Sequence, residues 1–394
     1  MRKKTKKVAL FFEMSAVIDR RIMHGIVRYS SLRDPWIFYL KVHPFYMLPQ
    51  NNPWHKLIMP ELKKWRPDGI IAHVDMQKAE DLIAIGVPTI IMPIGLEEVK
   101  NVPILQSDKE AVIDMGTSYL MNLGFRDIAF CGFGNVAWSQ VFSDIFVNRI
   151  VRAGFNAYVY KPPAAFINSF VKEDNEFLCD WLRTLPKPIG VMACNDIRGR
   201  QVIEAANVAG LTVPDDVAVL GVDNDDLICD VTRPPLSSIA LGLEKAGYEA
   251  AKLLDRMMGG EKNRIKNLFW QPTQVITRQS TNILAIEDHE VANAIRFIQT
   301  NAKLDLSVDE VVDNTTLGRR ALEQRFRTML NKTIREEIRR VCAERISRML
   351  LETNMTMYQI ASVLGSSNGG HLARTFRIEK GMSPKEYRRK HSIL

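Results

Sequence analysis

Residues 372–388 read LARTFRIEKGMSPKEYR and specify a pair of helices near the end of the chain. Ser383 and Glu386 have the spacing of a capping box, in which the two side chains accept hydrogen bonds from otherwise unsatisfied backbone N–H groups at the start of a helix. Pro384 falls at the first position of that helix, where a missing N–H is tolerated. Leu372 and Phe376 lie four residues apart, which places them on one face of a preceding helix. The stretch therefore predicts a helix, a short turn and a second helix.

The same pattern occurs 50 residues earlier, which indicates an internal repeat. Leu322, Phe326 and Thr333 take the places of the leucine, phenylalanine and serine of the later copy. Two further capping boxes, which begin at Ser307 and Thr356, open a shorter helix in each copy. A helix, a tight turn and a second helix form the helix-turn-helix motif, and a helix over residues 333–353 joins the two copies. An ordinary helical bundle is the alternative.

The excess positive charge of the chain is confined to this region. The whole chain has a formal net charge of +8, and residues 291–394 carry 19 Lys and Arg against 11 Asp and Glu, which is also +8. The first 290 residues are therefore neutral. A localised positive charge is typical of a domain that binds a polyanion such as DNA. A solvated basic surface is the alternative that charge alone leaves open.

Residues 7 to 280 alternate short apolar runs with amphipathic stretches. This alternation predicts parallel sheets covered by helices on both faces, and the length suits two such lobes. The expected fold is therefore a two-lobed α/β region with parallel sheets, followed by an all-α tandem helix-turn-helix domain. The predicted strands are Val8–Phe12, Trp36–Val42, Gly69–Ala72, Thr89–Met92, Ile128–Cys131, Ala157–Tyr160, Ile189–Ala193 and Val217–Val222. The predicted helices include Asp19–Ser30, Lys109–Leu123, Asp174–Leu185, Ile197–Ala209 and Glu244–Met258.

Several predicted strands are followed by polar residues. Ligands of open α/β sheets bind beyond the carboxyl ends of the strands, so Asp19, Asn195 and Asp223 are expected to face one cleft. Carboxylate and amide groups suit the hydroxyl groups of a sugar. A helix N-cap is the alternative role for Asp19 and Asn195. The strand pattern stops near residue 281, so we expect a sensor domain over residues 1–283 and a DNA-binding domain over residues 284–394.

Cysteine use and hydropathy indicate a cytoplasmic protein. The five cysteines include no Cys-x-x-Cys pair, and most lie among apolar residues, which is typical of buried thiols in a reducing compartment. The seven histidines are scattered, and no structural metal site is expected. No apolar run approaches the roughly 20 residues that span a membrane. We therefore expect no membrane partner and no cofactor.

A nucleotide-dependent enzyme is the rival interpretation. Residues 132–137 read GFGNVA after a predicted strand, like a dinucleotide-binding fingerprint. Such a site needs an acidic residue at the end of the next strand, but that strand ends in Tyr160-Lys161-Pro162. No P-loop or nucleophile elbow is present in the sequence. We therefore do not expect an enzyme. A purely architectural DNA-binding protein is the second rival interpretation, but it would leave 280 neutral residues without a role.

The last hundred residues resemble the AraC/XylS family of transcription regulators. The resemblance rests on Phe376-Arg377, Gly381, Ser383-Pro384 and Tyr387-Arg388, and on Ile360-Ala361 and Gly365 before them. It implies that the start of each second helix contacts base edges in the major groove of double-stranded DNA. The expected DNA contacts are Thr316, Arg319, Arg320 and Gln324 in the first copy, and Asn368, His371 and Arg374 in the second. Residues 366–370 are glycine-rich, so contact with bases and contact with the DNA backbone both stay open for the second copy.

Residues 7–280 resemble the LacI/GalR-type sensor domains, which are related to periplasmic sugar-binding proteins. The resemblance implies that this region is a two-lobed, periplasmic-binding-protein-like α/β sensor. The resemblance rests on Asp19-Arg20, on Asn195-Asp196 and on residues 219–225, which read VLGVDND. It implies that Asp19, Arg20, Asn195, Asp196 and Asp223 bind a small sugar, with xylose as the first candidate. It also implies a homodimer in which closure of the lobes changes the spacing of the DNA-binding domains. The AraC-like domain implies an activator that works with RNA polymerase at an operator.

The helix that follows Gly132 departs from the sugar sensors, which usually have an arginine there. This chain has Trp138 and Phe142 in that stretch, and either aromatic ring could stack on a sugar. A regulator of the same architecture with another ligand, or with a sensor site that has lost its ligand, is therefore the alternative.

Overall fold

The computed structural model describes residues 5–42, 54–95, 99–134, 136–162, 175–261, 267–282, 288–301, 306–365 and 369–391. The chain divides into two compact units. Unit 1 contains residues 1–111, 136–141 and 241–272, and unit 2 contains residues 112–135, 142–240 and 273–394. Both units contain a β-sheet, and unit 2 also contains the C-terminal helices.

Within these ranges, strands and helices alternate up to residue 276, and only helices follow. The strands are β1 Lys7–Phe12, β2 Ile37–Val42, β3 Gly69–Val74, β4 Thr89–Pro93, β5 Leu105–Ser107, β6 Asp127–Cys131, β7 Asn156–Val159, β8 Ile189–Ala193, β9 Val217–Asp223, β10 Ser237–Leu241, β11 Leu268–Trp270 and β12 Pro272–Ile276. The α-helices are α1 Val17–Ser31, α2 Met59–Trp65, α3 Met76–Ile83, α4 Lys109–Asn122, α5 Ala137–Arg152, α6 Asn175–Thr184, α7 Asp196–Val208, α8 Asp226–Val231, α9 Leu243–Met258, α10 His289–Thr300, α11 Val308–Asp313, α12 Arg319–Leu330, α13 Ile334–Glu352, α14 Met357–Val363, α15 Gly369–Lys380 and α16 Pro384–His391.

The eight predicted strands and five predicted helices are all present, with bounds within two residues of the expected ones. The pattern does not predict β5, β10, β11 or β12. These strands have three to five residues each, and polar residues interrupt three of them. Such short segments have no clear hydrophobic periodicity, so their structure depends on pairing with a neighbouring strand.

Unit 1 is built on a parallel sheet in the order β2-β1-β3-β4. This order puts the carboxyl ends of β1 and β3 side by side. Helix α1 packs against α9 at a distance that only glycine allows. A Cβ atom on Gly25 would lie 1.8 Å from the carbonyl oxygen of Glu244, and one on Gly247 would lie 2.0 Å from that of Ile22. These two glycines therefore set the spacing of the helix pair.

The sheet of unit 2 has the strand order β12-β10-β9-β8-β6-β7. The pairs β10–β9, β9–β8, β8–β6 and β6–β7 are parallel. Strand β8 is buried along its whole length, as is β9 up to its last residue, as expected for strands covered on both faces. The carboxyl ends of β6, β8 and β9 therefore lie along one edge of the sheet, which is the place where ligands of such sheets bind.

The helices α10 to α16 of unit 2 form the two expected helix-turn-helix copies. Leu322 and Phe326 of α12 are fully buried in one core, and Leu372 and Phe376 of α15 are fully buried in a second. Helix α13 contributes side chains to both cores. All four capping boxes have their paired hydrogen bonds. The internal repeat is therefore confirmed at the level of structure.

The expected boundary between residues 283 and 284 lies outside the described residues, and it stays a prediction. All five cysteine thiols are buried, and none forms a disulfide. Among the helices of the described ranges, none combines the length and the apolar character that crossing a bilayer requires.

Candidate functional site

In unit 1, Asp19 lies in the first turn of α1, beyond the carboxyl end of β1, and its side chain is completely buried. Its carboxylate accepts a hydrogen bond from the backbone N–H of Glu13 at 2.5 Å and lies 2.7 Å from Nδ1 of His73. His73 lies near the end of β3, the strand beside β1. The buried carboxylate and the partly exposed imidazole thus form a pair at adjoining strand ends. His73 was not expected, although it is the one strongly polar residue in the apolar run Gly69–Val74.

Arg20 holds the loop between β1 and α1. Its Nη1 donates hydrogen bonds to the carbonyl oxygens of Met14 at 3.0 Å and Ser15 at 2.6 Å. The guanidinium therefore orders the backbone next to Asp19, and its contact with a ligand stays a prediction. Trp138 is half-buried at the start of α5, whereas Phe142, one turn later, is only 6% exposed. Stacking on a sugar ring by either residue also stays a prediction.

In unit 2, Asn195 and Asp196 follow β8. Asn195 is the N-cap of α7, because its side-chain oxygen accepts a hydrogen bond from the backbone N–H of Arg198 at 2.9 Å. Asp196 is 2% exposed and accepts hydrogen bonds from the Ser238 hydroxyl at 2.5 Å and from the backbone N–H of Asp225 at 2.7 Å. Burial outweighs these hydrogen bonds and raises the pKa of Asp196 to about 7. This carboxyl group connects the carboxyl ends of β8 and β9 with the start of β10. Direct ligand contact by Asn195 or Asp196 stays a prediction.

Asp223 is the last residue of β9 and has a φ of 101°, while Asn224 after it has a φ of 49°. Side chains other than glycine rarely adopt such angles, and backbone strain of this kind concentrates at functional sites. The surroundings hold the loop in place. The Asn224 N–H donates to the Ser238 hydroxyl at 3.0 Å, and the Asn224 side-chain oxygen accepts from Arg278 at 2.9 Å. Asp223 is thereby held at the edge of the sheet where a ligand would bind.

Two further carboxylates in the stretch after Asp223 have a structural partner. Arg278 contacts Asp226 at 3.3 Å and Asp230 at 3.2 Å, and only 15% of its side chain is exposed. Asp226 and Asp230 therefore neutralise the charge of Arg278. Within the described ranges, no three His, Cys, Asp or Glu residues group together in a way that could hold a metal ion.

Arg198 is a buried cation that the sequence did not single out. It is 2% exposed, and its guanidinium lies over the rings of Phe133 at 5.2 Å and Tyr160 at 5.1 Å. It also donates a hydrogen bond to the Gln201 side chain at 2.9 Å. The two rings follow β6 and β7, so the cation–π cluster lies at the same sheet edge as Asn195. No sequence spacing indicates this cluster, because parallel pairing of distant strands brings its members together.

The second helix of the first helix-turn-helix copy exposes polar side chains to solvent. Arg319, Arg320 and Gln324 of α12 are all exposed. Arg319 forms ion pairs with Asp309 at 3.0 Å and Glu323 at 3.2 Å, while 55% of its side chain remains accessible. Exposed ion pairs of this kind contribute little stability, so a DNA group can replace them at small cost. Base contact by these residues stays a prediction.

Thr316 does not lie on this helix, contrary to expectation. It lies in the turn two residues before Gly318, the N-cap of α12. Its backbone N–H donates a hydrogen bond to the Glu290 carboxylate at 2.6 Å, which fixes the turn against α10. A contact between Thr316 and DNA would therefore come from the turn rather than from the face of α12.

In the second copy, His371 and Arg374 lie on α15 and are exposed. Asn368 lies outside the described residues. Helix α15 is described from Gly369, so the expected glycine-rich start belongs in part to the helix. DNA contact by His371, Arg374 and Asn368 stays a prediction.

Comparison with protein families matches the two parts of the chain separately. Residues 117–281 match the periplasmic binding protein-like domain, and residues 311–390 match the helix-turn-helix domain. The first match covers much of the α/β region, and the second covers both helix-turn-helix copies from α11 to α16.

Full-length relatives combine the same two parts. The chain is 28% identical over 390 residues to the xylose operon regulatory protein of Haemophilus influenzae, covering 97% of this chain and 98% of that protein. It is 26% identical over 395 residues to the xylose operon regulatory protein of Escherichia coli K12, covering 98% and 97%. The solved structure of the xylose-binding transcription activator xylR covers all of both chains with a TM-score of 0.62 and 25% identity. A transcriptional regulator CelR–cellobiose complex, 21% identical, shares the fold over 71% of this chain and 85% of that one, with a TM-score of 0.55.

Proposed function

Since this chain is a DNA-binding transcription regulator of the AraC/XylS type with a LacI/GalR-like sensor domain, we propose that a small sugar bound in the sensor controls its action at an operator. The observation that carries the proposal is the match of almost the whole chain to xylose operon regulatory proteins. Xylose is therefore the first candidate for the sugar. A regulator of this kind acts where the DNA is, so we place it in the cytoplasm.

The polar residues at the strand ends support a sugar ligand. Carboxylate and amide groups at such an edge can exchange hydrogen bonds with several hydroxyl groups of one sugar. In unit 2, Asn195 and the strained Asp223 lie at neighbouring strand ends, and the buried Asp196 holds those ends together. In unit 1, Asp19 lies at a strand end beside His73. We propose that Asp223 contacts the ligand directly and that Asp196 positions it.

A different ligand is the second candidate, and two observations favour it. Trp138 and Phe142 stand on α5, where related sugar sensors usually carry an arginine. The carboxylates of Asp19 and Asp196 are already engaged by Glu13 and His73 and by Ser238 and Asp225. A buried acceptor that is already satisfied gains little from a further hydroxyl group. Such a sensor would keep the architecture and respond to a molecule other than xylose.

We propose a homodimer as the form that binds DNA. Helices α7 and α8 of unit 2 expose the apolar side chains of Ile197, Leu227 and Val231, which are 49%, 75% and 63% accessible. Clusters of exposed apolar side chains are typical of protein–protein contacts. Sedimentation equilibrium of the full chain measures the assembly, and a monomer at micromolar concentration would contradict the proposal.

We also propose activation rather than repression, in contact with RNA polymerase. The full-length structural match bears the name of a transcription activator, which supports this choice. A reporter gene behind the operator tests it. Expression that rises when the protein and its sugar are both present supports activation, and expression that falls when the protein is added indicates a repressor.

Thermal unfolding of the full chain with a panel of pentoses and hexoses tests the sugar proposal. A ligand at 100 times its Kd stabilises the native state by about 2.7 kcal/mol, so a specific sugar raises the unfolding temperature measurably. We expect xylose to do so. An Asp223→Asn variant, whose side chain tolerates the positive φ, should lose the shift, while Asp180→Asn on the exposed face of α6 should keep it. No shift with any sugar would rule out the sugar and leave DNA binding untouched.

A further inference from the structure

A crevice of about 820 Å³ lies inside unit 2, where the sheet meets the DNA-binding helices. The end of α4 and residues 277–282 line one wall, and α10 and α13 line the other. We propose that this crevice is a second ligand site, which takes an anionic polyol such as a sugar phosphate or a sugar acid. It is separate from the strand-end site, because none of its lining residues follows β6, β8 or β9.

The helical wall of the crevice is rich in arginine. Arg296 of α10 and Arg345 and Arg348 of α13 line it, and all three residues are exposed. Residues 345 and 348 are three apart on α13, which puts them on the same helix face. Arginine is the side chain that pairs with phosphate and carboxylate through two parallel hydrogen bonds. Three arginines from two helices can therefore surround one anionic group.

A fourth arginine in the wall is held by two glutamates. The Arg340 guanidinium contacts the buried Glu337 at 2.5 and 2.9 Å and Glu344 at 2.8 Å. Glu344 and Asp215 are the carboxylates that line the crevice. The charged lining is thus four arginines against two acids, and the buried Glu337 behind Arg340 adds a third negative charge. The lining therefore keeps a net positive charge, which an anionic ligand would neutralise.

The wall formed by α4 and residues 277–282 supplies hydroxyl and amide groups. The Tyr119 hydroxyl contacts the Thr277 hydroxyl at 3.1 Å and the Thr281 hydroxyl at 2.8 Å. Asn122 and Asn282 line the same wall, and the side-chain oxygen of Asn122 accepts a hydrogen bond from Lys332. Hydroxyl and amide groups both donate and accept hydrogen bonds, as the hydroxyls of a polyol do. One wall therefore suits an anionic group and the other suits a hydroxylated chain.

The volume fits this class of ligand. Sites for small metabolites measure about 300–1,000 Å³, and a phosphorylated monosaccharide falls well within that size. Because one wall is formed by α4 and residues 277–282 and the other by α10 and α13, a bound molecule would strengthen the contact between them. Occupancy would then change how firmly the DNA-binding helices are held, whatever molecule the strand-end site binds.

Titration calorimetry of the full chain, at constant ionic strength, tests the site with four probes: glucose 6-phosphate, gluconate, glucose and inorganic phosphate. We expect saturable binding of glucose 6-phosphate or gluconate. The double variant Arg345→Gln/Arg348→Gln should weaken that binding at least tenfold. The double variant Arg152→Gln/Arg183→Gln, which removes the same charge elsewhere on unit 2, should leave it unchanged.

The remaining outcomes distinguish the crevice from a plain anion site and from the strand-end site. Absence of saturable binding by both anionic sugars overturns the proposal, as does binding that the α13 double variant leaves intact. If inorganic phosphate binds with the same affinity as glucose 6-phosphate, the crevice does not recognise a polyol and is only an anion site. Asp223→Asn should abolish a sugar response at the strand-end site and keep binding of the anionic sugar. The proposals for the two sites can therefore be tested independently of each other.

Discussion

Asp196 is a single carboxyl group that connects the ends of β8 and β9 with the start of β10. It accepts hydrogen bonds from Ser238 on β10 and from the backbone N–H of Asp225 after β9, and it belongs to the first turn of α7 after β8. Burial raises its pKa to about 7, and burial also raises the pKa of the neighbouring Cys229 thiol. Asp196 therefore changes its protonation state within the physiological pH range, so the arrangement of this sheet edge depends on pH.

We expect the stability of the protein to fall with rising pH because of Asp196. Its pKa is raised from 3.8 to about 7 in the folded state, so between these values the folded chain holds a proton that the unfolded chain releases. The stabilisation is complete below pH 4 and is lost as the pH rises through 7. Urea unfolding midpoints of the wild type and Asp196→Asn, measured from pH 5 to 8, check this. The wild type should lose stability relative to the variant over that interval.

The exposed variant Asp180→Asn provides the matched control, because it removes the same charge from the surface of unit 2. Its midpoints should run parallel to those of the wild type. Parallel profiles for Asp196→Asn as well would mean that Asp196 is ionised throughout the range and that its burial is less complete than the structure indicates.

Arg319 is the residue on which sequence-specific DNA binding is expected to depend most in the first copy. An arginine at the start of a recognition helix can donate two hydrogen bonds to guanine, and such a pair contributes about 1–3 kcal/mol of discrimination. Arg319→Ala should therefore weaken operator binding by that amount in an electrophoretic or fluorescence titration at fixed salt. Arg335→Ala, which removes an exposed arginine from α13, is the control. An equal loss on random DNA would make Arg319 a phosphate contact.

Helix α13 joins the two helix-turn-helix copies, and its first turn depends on one capping box. The Thr333 hydroxyl accepts a hydrogen bond from the backbone N–H of Glu336, and the Glu336 carboxylate accepts one from the backbone N–H of Thr333 at 2.7 Å. The backbone N–H and the hydroxyl of Thr333 both donate to the Glu336 carboxylate, which lowers the pKa of Glu336. Because side chains of α13 enter both cores, fraying of its first turn would reach the core of the first copy, where Ile334 is buried.

Thr333→Ala should destabilise the first turn of α13 by about 1 kcal/mol, because the variant loses an N-cap side chain. This corresponds to roughly fivefold faster hydrogen exchange of the amides in that turn. Hydrogen–deuterium exchange of the full chain, read by mass spectrometry, measures the change. Ser362→Ala, at an exposed position of α14 that is not a cap, should leave the exchange unchanged. Equal effects of the two variants would show that the cap contributes nothing.

Within unit 2, the sheet and the DNA-binding helices are joined by specific hydrogen bonds. Arg126, just before β6, donates to the carbonyl oxygens of Thr328 at 3.2 Å and Met329 at 2.8 Å in the last turn of α12. The Tyr387 hydroxyl of α16 donates to the carbonyl oxygen of Thr273 at 3.0 Å. A cation at a helix C-terminus also interacts favourably with the helix dipole. These contacts connect the sheet directly to the end of α12 and to α16.

Arg126→Ala should release the end of α12. The loss of two hydrogen bonds and one favourable helix-end charge amounts to about 1–2 kcal/mol, or a fivefold to thirtyfold increase in hydrogen exchange in the last turn of α12. Exchange of the amides of β8 should not change. Arg183→Ala, an exposed arginine of α6 on the same unit, is the matched control. Unchanged exchange in α12 would mean that other contacts hold the helix in place.

The features that could be predicted from the sequence depend on residues close to one another in the chain. A capping box needs two residues three apart, and the buried face of α12 or α15 needs residues four apart. The long apolar strands such as β8 and β9 are recognisable because both of their faces are buried. The fold class and the DNA-binding domain followed from these local patterns, and the family resemblance added the role of the sensor.

Contacts between residues that are far apart in the sequence depended on the tertiary structure alone. His73 meets Asp19 because β1 and β3 are neighbours. Arg198, which follows β8, meets Phe133 and Tyr160 because β6 pairs in parallel with both β8 and β7. Tertiary contacts also determine the placement of Thr316 in a turn, the short strands β10 and β12 and the arginine-lined crevice. Local sequence sets backbone preference and the pattern of burial, whereas the contact of side chains far apart in the chain is set by strand order and helix packing, which no short stretch of sequence encodes.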